Sequence, residues 1–513
     1  MKTILLSLVL STTPLFLIGQ NTHYFNKILS NDTTIMLSTC VLPIDSGYLV
    51  TGIYNPTPIL PEGQYTKKIF LQRLDSLGNE IGFHYLDSEN SEEERQLTSP
   101  ERGNLFIECS DGNFLLAYES GKDVSLTDLD IQYVKFNVNG EILWKKSITG
   151  ETKQVVKSVI ETSDNGFLLV GFNNIEPIIT SHFYAVKTDS LGEIEWEITQ
   201  PMGTLHSSAF SCVEDADGGF VLSGYAAHPD TYFDIQLLKL DIDGNYVWEK
   251  NYDVNGWTEC AGFLVPSANG YLISTCTVDP IGNFDDLKHH YILKLDENFD
   301  MEWDYLYPTA EEWFAFGSDP VVNTDGSFVQ AGRFKTINPI PFIRKFSPTG
   351  EIEWTWSDTN DENNAVLSRD LEKTKDGGYV MAAFQFTGWQ RGWLVKIDSM
   401  GNSCSYVGCD STVYALPEDT LVEDTTDTII DGLYFTNLAS IQVYPNPATT
   451  SVTFAYNIEK QETIFLYNAL GQLIQEIPLS PSSDSQKIST ESFTEGIYYW
   501  QLANQNGKLI ISR

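Results

Sequence analysis

His289 and His290 follow closely on Asp285 and Asp286, and imidazole with carboxylate is the donor set that binds Zn²⁺ and related cations. A third ligand at a defined spacing is missing, so no metal site is assigned. Asp241-Ile242-Asp243-Gly244-Asn245 and Asp215-Ala216-Asp217-Gly218 have the flavour of calcium loops. A true EF-hand loop spreads its ligands over about twelve residues and closes on Glu, and that closure is absent. Recurrent Asp-Gly turns explain these segments better. Calcium is the one cofactor they leave open, and none is assigned. Tyr232, Trp389 and Arg391, with Trp257 and Trp313, could stack on sugar rings or meet a partner if exposed; the competing expectation is packing between structural units. The chain carries no Gly-x-Ser-x-Gly, His-Glu-x-x-His, P-loop or dinucleotide motif. With 70 Asp and Glu, carboxylate pairs are too common to be diagnostic. No catalytic residue is therefore assigned.

The elements that must hold these residues recur seven times. Each copy begins at a small-residue turn followed by an aromatic, at Tyr48, Phe114, Phe167, Phe220, Tyr271, Phe328 and Tyr379. A second strand carries a cation, at Arg73, Lys135, Lys187, Lys239, Lys294, Lys345 and Lys396. Two residues on stands a short polar residue (Asp75, Asn137, Asp189, Asp241, Asp296, Ser347, Asp398), and five copies close on Trp144, Trp196, Trp248, Trp303 and Trp354. Several short strands per repeat of this length predict a seven-bladed β-propeller, with strands A to D in each blade. The cation and its Asp could form an anion-binding ring, but a pair present in every blade points instead to a structural ion pair making the same inter-blade contact each time. Each Trp is expected to wedge between neighbouring blades and bury much of its ring.

The seventh copy lacks a Trp. Counting back from Tyr48 by the usual Trp-to-aromatic interval reaches Tyr24-Phe25, so His23 to Leu29 is expected to supply the outer strand of the last blade, closing the circle without an exposed sheet edge. The interval from aromatic to cation spans the B–C loop and runs 25, 21, 20, 19, 23, 17 and 17 residues. The A–B and C–D turns hardly change. B–C and D–A loops share one face of a propeller, so the varied face is the expected binding face, and His289, His290, Tyr232, Trp389 and Arg391 are placed on its B–C loops.

Composition narrows the partners. The formal net charge of −39 argues against nucleic acid and anionic lipid, which need clustered Lys and Arg. Residues 1–19 read as a signal peptide, with Lys2 before an apolar run too short and broken for a membrane span. No other stretch is long and apolar enough to span a membrane, so the protein is expected to be exported. Among seven cysteines, Cys404 could pair with Cys409 and Cys260 with Cys276, while Cys40 and Cys212, each eight residues before its aromatic, suggest one shared buried slot. Residues 20–409 are assigned to the propeller and 410–440 to an acidic Thr/Asp/Glu-rich linker. Alternation resumes at Val452–Tyr456, Ile464–Tyr467, Ile497–Leu502 and Leu509–Ile511, predicting a small Ig-like β-sandwich over 441–513.

Three motifs in this tail are specific. Val443-Tyr444-Pro445-Asn446-Pro447-Ala448, then Leu466 to Gln472 with Gly471, then Glu495-Gly496-Ile497-Tyr498-Tyr499, resemble the type A C-terminal sorting domain of the type IX secretion system of Bacteroidota. The resemblance implies passage through that machinery across the outer membrane, usually with removal of the tail, and release or attachment at the cell surface. The repeats also resemble propeller repeats common in such exported proteins, which implies a fold and no activity. The expected function is a non-catalytic exported propeller binding a glycan, protein or surface component. The alternative is a secreted polysaccharide hydrolase or lyase using acidic residues on the varied face.

Overall fold

The computed structural model describes residues 23–29, 35–55, 68–86, 96–97, 105–121, 129–150, 152–175, 180–203, 206–228, 233–253, 258–259, 262–278, 288–307, 312–313, 318–334, 340–358, 365–386, 390–403, 409–412, 442–444, 448–456, 461–468, 473–483, 485–490, 492–502 and 505–512. The proposed signal peptide lies outside these residues, as does most of the acidic stretch. No helix among them is long and apolar enough to cross a membrane. The chain divides into two compact units, Met1–Pro417 and Glu418–Arg513.

The first unit is a seven-bladed β-propeller. In the fourth blade strand A is Ser207–Glu214, B is Phe220–Ala227, C is Phe233–Leu240 and D is Tyr246–Tyr252. B and C are buried almost throughout, because blades cover both their faces, whereas D alternates between exposed and half-buried residues. The last blade is made of Ala365–Lys373, Tyr379–Phe386 and Gln390–Ile397, and its fourth strand is His23–Ile28, with Phe25 opposite Lys396. Closure by the N-terminal strand matches the sequence reading, but the blade does not end there. Cys409–Thr412 adds a fifth strand outside it, with Asn26 opposite Cys409, so the acidic stretch assigned from residue 410 begins inside the last blade.

One contact is repeated around the ring. An aromatic side chain on each D strand lies against the left-handed residue of the C–D turn in the next blade. A Cβ added at Gly78 would lie 2.9 Å from the Phe25 ring, at Gly192 2.9 Å from Trp144, at Gly244 2.8 Å from Trp196, and at Gly401 2.7 Å from Trp354. Gly140 faces His84 in the same way, and Gly350 faces Trp303 more loosely at 3.3 Å. The seventh seam replaces the glycine with Phe299, which has φ of 60°, sets its buried ring at a tilt to Trp248 with centroids 5.3 Å apart, and stacks on Tyr271 at 4.3 Å. Phe25 thus takes the Trp position in the last blade, opposite Lys396, whereas in blade one Gly82 stands opposite Arg73 and His84, two residues further on, supplies the seam ring. The Trp rings are half-buried at these seams, less covered than expected, because their outer edge faces solvent beyond the turn.

The short polar residue after each cation has a different job from the one expected. Asp241 Oδ1 accepts the backbone N–H groups of Asp243 and Asn245, and its Oδ2 accepts from the Asn245 side chain. Asp75, Asn137, Asp189, Asp296, Ser347 and Asp398 bind their own turns in the same i+2, i+4 pattern. The Asn245 side chain and the turn amides hold Asp241 below the ordinary carboxylate value. Except for Arg73, which donates to Asn139 of the next blade, the cation turns the other way, into its own blade. Lys135 pairs with Asp111, Lys187 with Asp164 and Glu195, Lys239 with Asp215 and Asp217, and Lys396 with Asp376, at 2.6–3.0 Å. These are ion pairs between strand C and the A–B turn (or strand D), not inter-blade contacts. Blades are instead bridged by a cation two residues after the seam aromatic: Lys27 binds Asn79, Lys146 binds Glu193 and Lys250 binds Asp300.

Blades one and five depart from the pattern. Their A–B connections are tight hairpins, with Ile44 opposite Gly47 and Ser267 opposite Gly270, where blade four pairs Glu214 with Phe220. The shorter turn moves strand A of blade one by one position. Cys40 therefore lies opposite Thr51 while Cys212 lies opposite Leu222. Both thiols are buried, but a one-residue shift reverses the face: Cys40 packs with Phe114 and Phe136 of the following blade, Cys212 with Leu168 and Val170 of the preceding one. The shared slot does not exist. Cys276 packs against Phe342, and its suggested partner Cys260, like Cys404, falls outside the described residues.

Inside the ring the first and last blades are joined through Asp370. It follows a bulge at Arg369 in the innermost strand, and its Oδ2 accepts the Val41 N–H at 2.7 Å. Burial raises its carboxyl to about 7, against the bonds from Val41 and Leu371 that oppose the shift.

The second unit is a sandwich. One sheet holds Gln442–Tyr444, Ser451–Ala455 and Ser485–Ser489; the other orders Leu473–Leu479, Glu462–Asn468, Gly496–Leu502 and Gln505–Ile511. One core fills it, including Phe454, Leu466, Trp500 and Leu509.

Two expectations follow. Gly401→Ala should destabilise the propeller by about 2–3 kcal/mol in denaturant unfolding, adding a ring clash to left-handed strain. Gly377→Ala, with φ of 82° and open space around its Cβ, should cost only about 1 kcal/mol. Asp370 and its neighbour Glu372 are both easier to protonate folded than unfolded, so their contribution is fully present below the ordinary carboxylate values and is lost as pH rises through their raised folded values. Asp370→Asn should flatten that part of the stability–pH curve, measured as the difference from wild type.

Candidate binding faces

The two faces of the propeller differ in kind. On the face formed by A–B and C–D turns, the capping residues and many turn side chains are engaged within the turn or across a seam. Besides the capping residues, Ser110 donates to Glu161 and Ser163 to Glu214 from one blade to the next. Lys375 binds Asp45 across the closing seam. The opposite face is built from the ends of strands B and D and the starts of strands C and A. There the copies differ in length, and part of every B–C loop lies outside the described residues.

Of the sequence-predicted ligand-face residues, those described, His289, His290 and Arg391, lie in strands. His289 and His290 belong to strand C of blade five, Lys288–Leu295, opposite Thr277 and Cys276, rather than to a loop. Adjacent strand residues point to opposite faces, so the two rings cannot share a cation. His290 is buried, hydrogen-bonds Ser274 Oγ at 3.0 Å and stacks on Tyr307 at 5.0 Å. Burial, reinforced by Arg344, keeps it well below the usual histidine value and neutral. Among the described residues no group of three or more His, Cys, Asp and Glu could hold a metal ion. Arg391 also lies in a strand, half-buried near the start of Gln390–Ile397 and opposite Gln385. Tyr232, Trp389 and Trp257 lie outside the described residues. Trp313 sits opposite Arg333 in a two-residue strand.

Features the sequence did not single out sit on this varied face. Glu119, Asp130, Asp234, Glu259 and Asp358 are buried carboxylates near its strand ends. They serve structure: Glu119 accepts the Val156 N–H, Asp234 accepts from Asn251, Glu259 from Thr277 and Asp358 from Asn26. Their only signal in sequence is a carboxylate within an otherwise apolar run. Positive charge gathers in blades six and seven. Arg333 ends strand B of blade six, and burial with the nearby Arg369 lowers its guanidinium to about 10. Arg369 covers the Phe384 ring at 4.9 Å. With Arg391 and Arg344, these are four of the eight arginines in the chain.

In the tail, the described motif residues Tyr444, Gly496 and Tyr498 lie in strands of the sandwich. Tyr498 is buried, donates to the Thr494 carbonyl at 3.0 Å and stacks on Phe493. Gly496 has φ of 148°, in a region that favours glycine. Tyr444 closes the first strand, Gln442–Tyr444, of the three-stranded sheet. Pro445, Asn446, Pro447 and Gly471 fall outside the described residues. Ala448, which ends the first motif, is fully buried and tied to the last strand: its N–H donates to Ile510 O, and Ser512 N–H donates back to its carbonyl.

Comparison with known proteins separates the two units. Residues 442–512 match the family of secretion system C-terminal sorting domains. The tail is 42% identical over 71 residues to β-agarase A of Zobellia galactanivorans, a match covering 14% of this chain and 13% of that protein. The chain thus shares only a small part of the agarase's length. Among solved structures, a protein of unknown function from Dyadobacter fermentans aligns with TM-score 0.39 and 11% identity, over 58% of this chain and 96% of its own. A puromycin hydrolase aligns with TM-score 0.42 and 11% identity, over 70% and 51%. Residues 442–512 are a secretion system C-terminal sorting domain, which directs the protein through the type IX machinery to the extracellular space or cell surface.

Proposed function

We infer that the propeller is a non-catalytic binding module, engaging a glycan, protein or surface component through its B–C/D–A face. The observation that carries this reading is the contrast between faces. On one, near-identical turns spend their polar groups on themselves and on neighbouring blades; on the other, connections of differing length leave a regular scaffold. The buried carboxylates of the varied face are engaged in hydrogen bonds between strands and blades, which is how a scaffold uses them. Arg333, Arg369 and Arg391 bring three guanidinium groups to the blade-six and blade-seven side of a strongly acidic protein, a composition that suits an acidic group on the ligand there.

Screening the purified secreted protein against soluble polysaccharides and cell-envelope fractions should reveal binding without release of reducing ends or unsaturated products. Turnover that disappears on substituting varied-face carboxylates would instead establish the hydrolase or lyase reading. Arg391→Ala should weaken binding of an acidic ligand roughly tenfold with an unchanged melting temperature. Removing residues 441–513 should leave the protein in the periplasm. Continued secretion would contradict the role of the tail.

A further inference from the structure

The seam between blades five and six is built differently from the others. Its aromatic-on-turn contact, Trp303 against Gly350, is the loosest of the six glycine seams. Among the described residues its main core holds five buried ones, against ten to thirteen at the other six seams, with Cys276 and Phe342 packed separately. A cleft of about 320 Å³ opens there on the A–B/C–D face.

The cause lies in the turns. Blade five's tight hairpin puts Ala268 three residues before its aromatic, where blade four has Asp217, so no turn carboxylate covers Lys294. Lys294 is instead satisfied by Asn269 O, Leu295 O and Glu302. In blade six the turn carboxylate is present but released. Asp325 occupies the position from which Asp111, Asp164, Asp217 and Asp376 grip the strand-C lysine, whereas Lys345 pairs with Glu353. Asp325 Oδ1 accepts the N–H and hydroxyl of Ser327, and Oδ2 makes no hydrogen bond to the described residues. Both Asp325 and Glu302 line the cleft, with Trp303 forming part of its wall.

We propose that this cleft is a binding subsite for one neutral sugar ring, seated against Trp303 with its hydroxyls donating to Asp325 and Glu302. Its volume suits a small ligand, and an aromatic wall with a few converging acceptors is the composition of such sites. An acidic ligand would meet two carboxylates beside a lysine that is already neutralised. A bare metal ion lacks a third donor among the described residues. The subsite is independent of the varied face and of the ligand bound there.

The test uses the full secreted chain with D-glucose, D-galactose and N-acetyl-D-glucosamine at millimolar concentration, read by saturation-transfer NMR and titration. Saturation of the ring protons of at least one sugar is expected. Asp325→Asn removes the free acceptor but preserves the bonds to Ser327. Ala268→Arg, at an exposed turn position, places a side chain over the cleft that can pair with Asp325. Each should weaken binding roughly tenfold or more without lowering the melting temperature, and Arg391→Ala should leave it unchanged. No saturation transfer from any of the three sugars would overturn the proposal. So would binding that survives Ala268→Arg, or binding that is lost in Arg391→Ala, which would place the sugar on the varied face.

Discussion

The propeller depends on one repeated contact: an aromatic ring on the outer strand of each blade lying against the left-handed residue of the next blade's C–D turn. A flat ring needs a flat neighbour, and a glycine with positive φ offers bare backbone where another residue would offer a Cβ. The capping Asp, Asn or Ser holds that turn in shape through its i+2 and i+4 bonds. The strand-C lysine then fastens the A–B turn of the same blade, burying a charge only because carboxylates meet it. Each conserved-looking residue of the repeat thus serves one half of a two-part joint, within the blade or between blades. Phe299 is the exception that clarifies the rule. A second aromatic there replaces bare backbone by ring-on-ring packing and accepts a left-handed φ to do so.

Much of this was legible in the chain itself. Seven repeats, the aromatic spacing and the remnant at Tyr24-Phe25 led directly to the blade number and to closure by the N-terminal strand. The partners of the repeated residues were not legible, since a cation and an Asp two residues apart look like a pair until the pleat sends them to different groups. Cys40 and Cys212 show the same limit. Equal distance from an aromatic implies an equal slot only if the intervening hairpins match, and one shorter turn was enough to reverse the face. His289 and His290 read as an inserted loop because blade five is long there, yet strand C starts early enough to include both. In the tail, ordered motifs identified the sorting domain, while the bond between Ala448 and the last strand required three-dimensional pairing that spacing cannot supply.

The division of labour between faces follows from the same joint. Where turns must present a left-handed residue to one neighbour and a carboxylate to a lysine, their sequence and length vary little outside the tight A–B hairpins of blades one and five, and few groups remain to meet a ligand. Where strands merely need connecting, length is free, which is why the expected ligand face is the varied one. The seam of blades five and six shows what happens when the joint loosens: the missing turn carboxylate of one blade and the released one of the next leave acceptors and an aromatic wall around open space.

Seven seams close into one cooperative ring through the N-terminal strand. Hydrogen exchange at the amides of His23–Ile28 tests it most directly, compared with those of Phe233–Leu240 in the middle of the fourth blade. A closed ring predicts that the N-terminal amides exchange only through global opening, with the protection of the central strand. Rapid exchange of His23–Ile28 while Phe233–Leu240 stays protected would contradict it, showing a disc that stands open at the seam between its last and first blades.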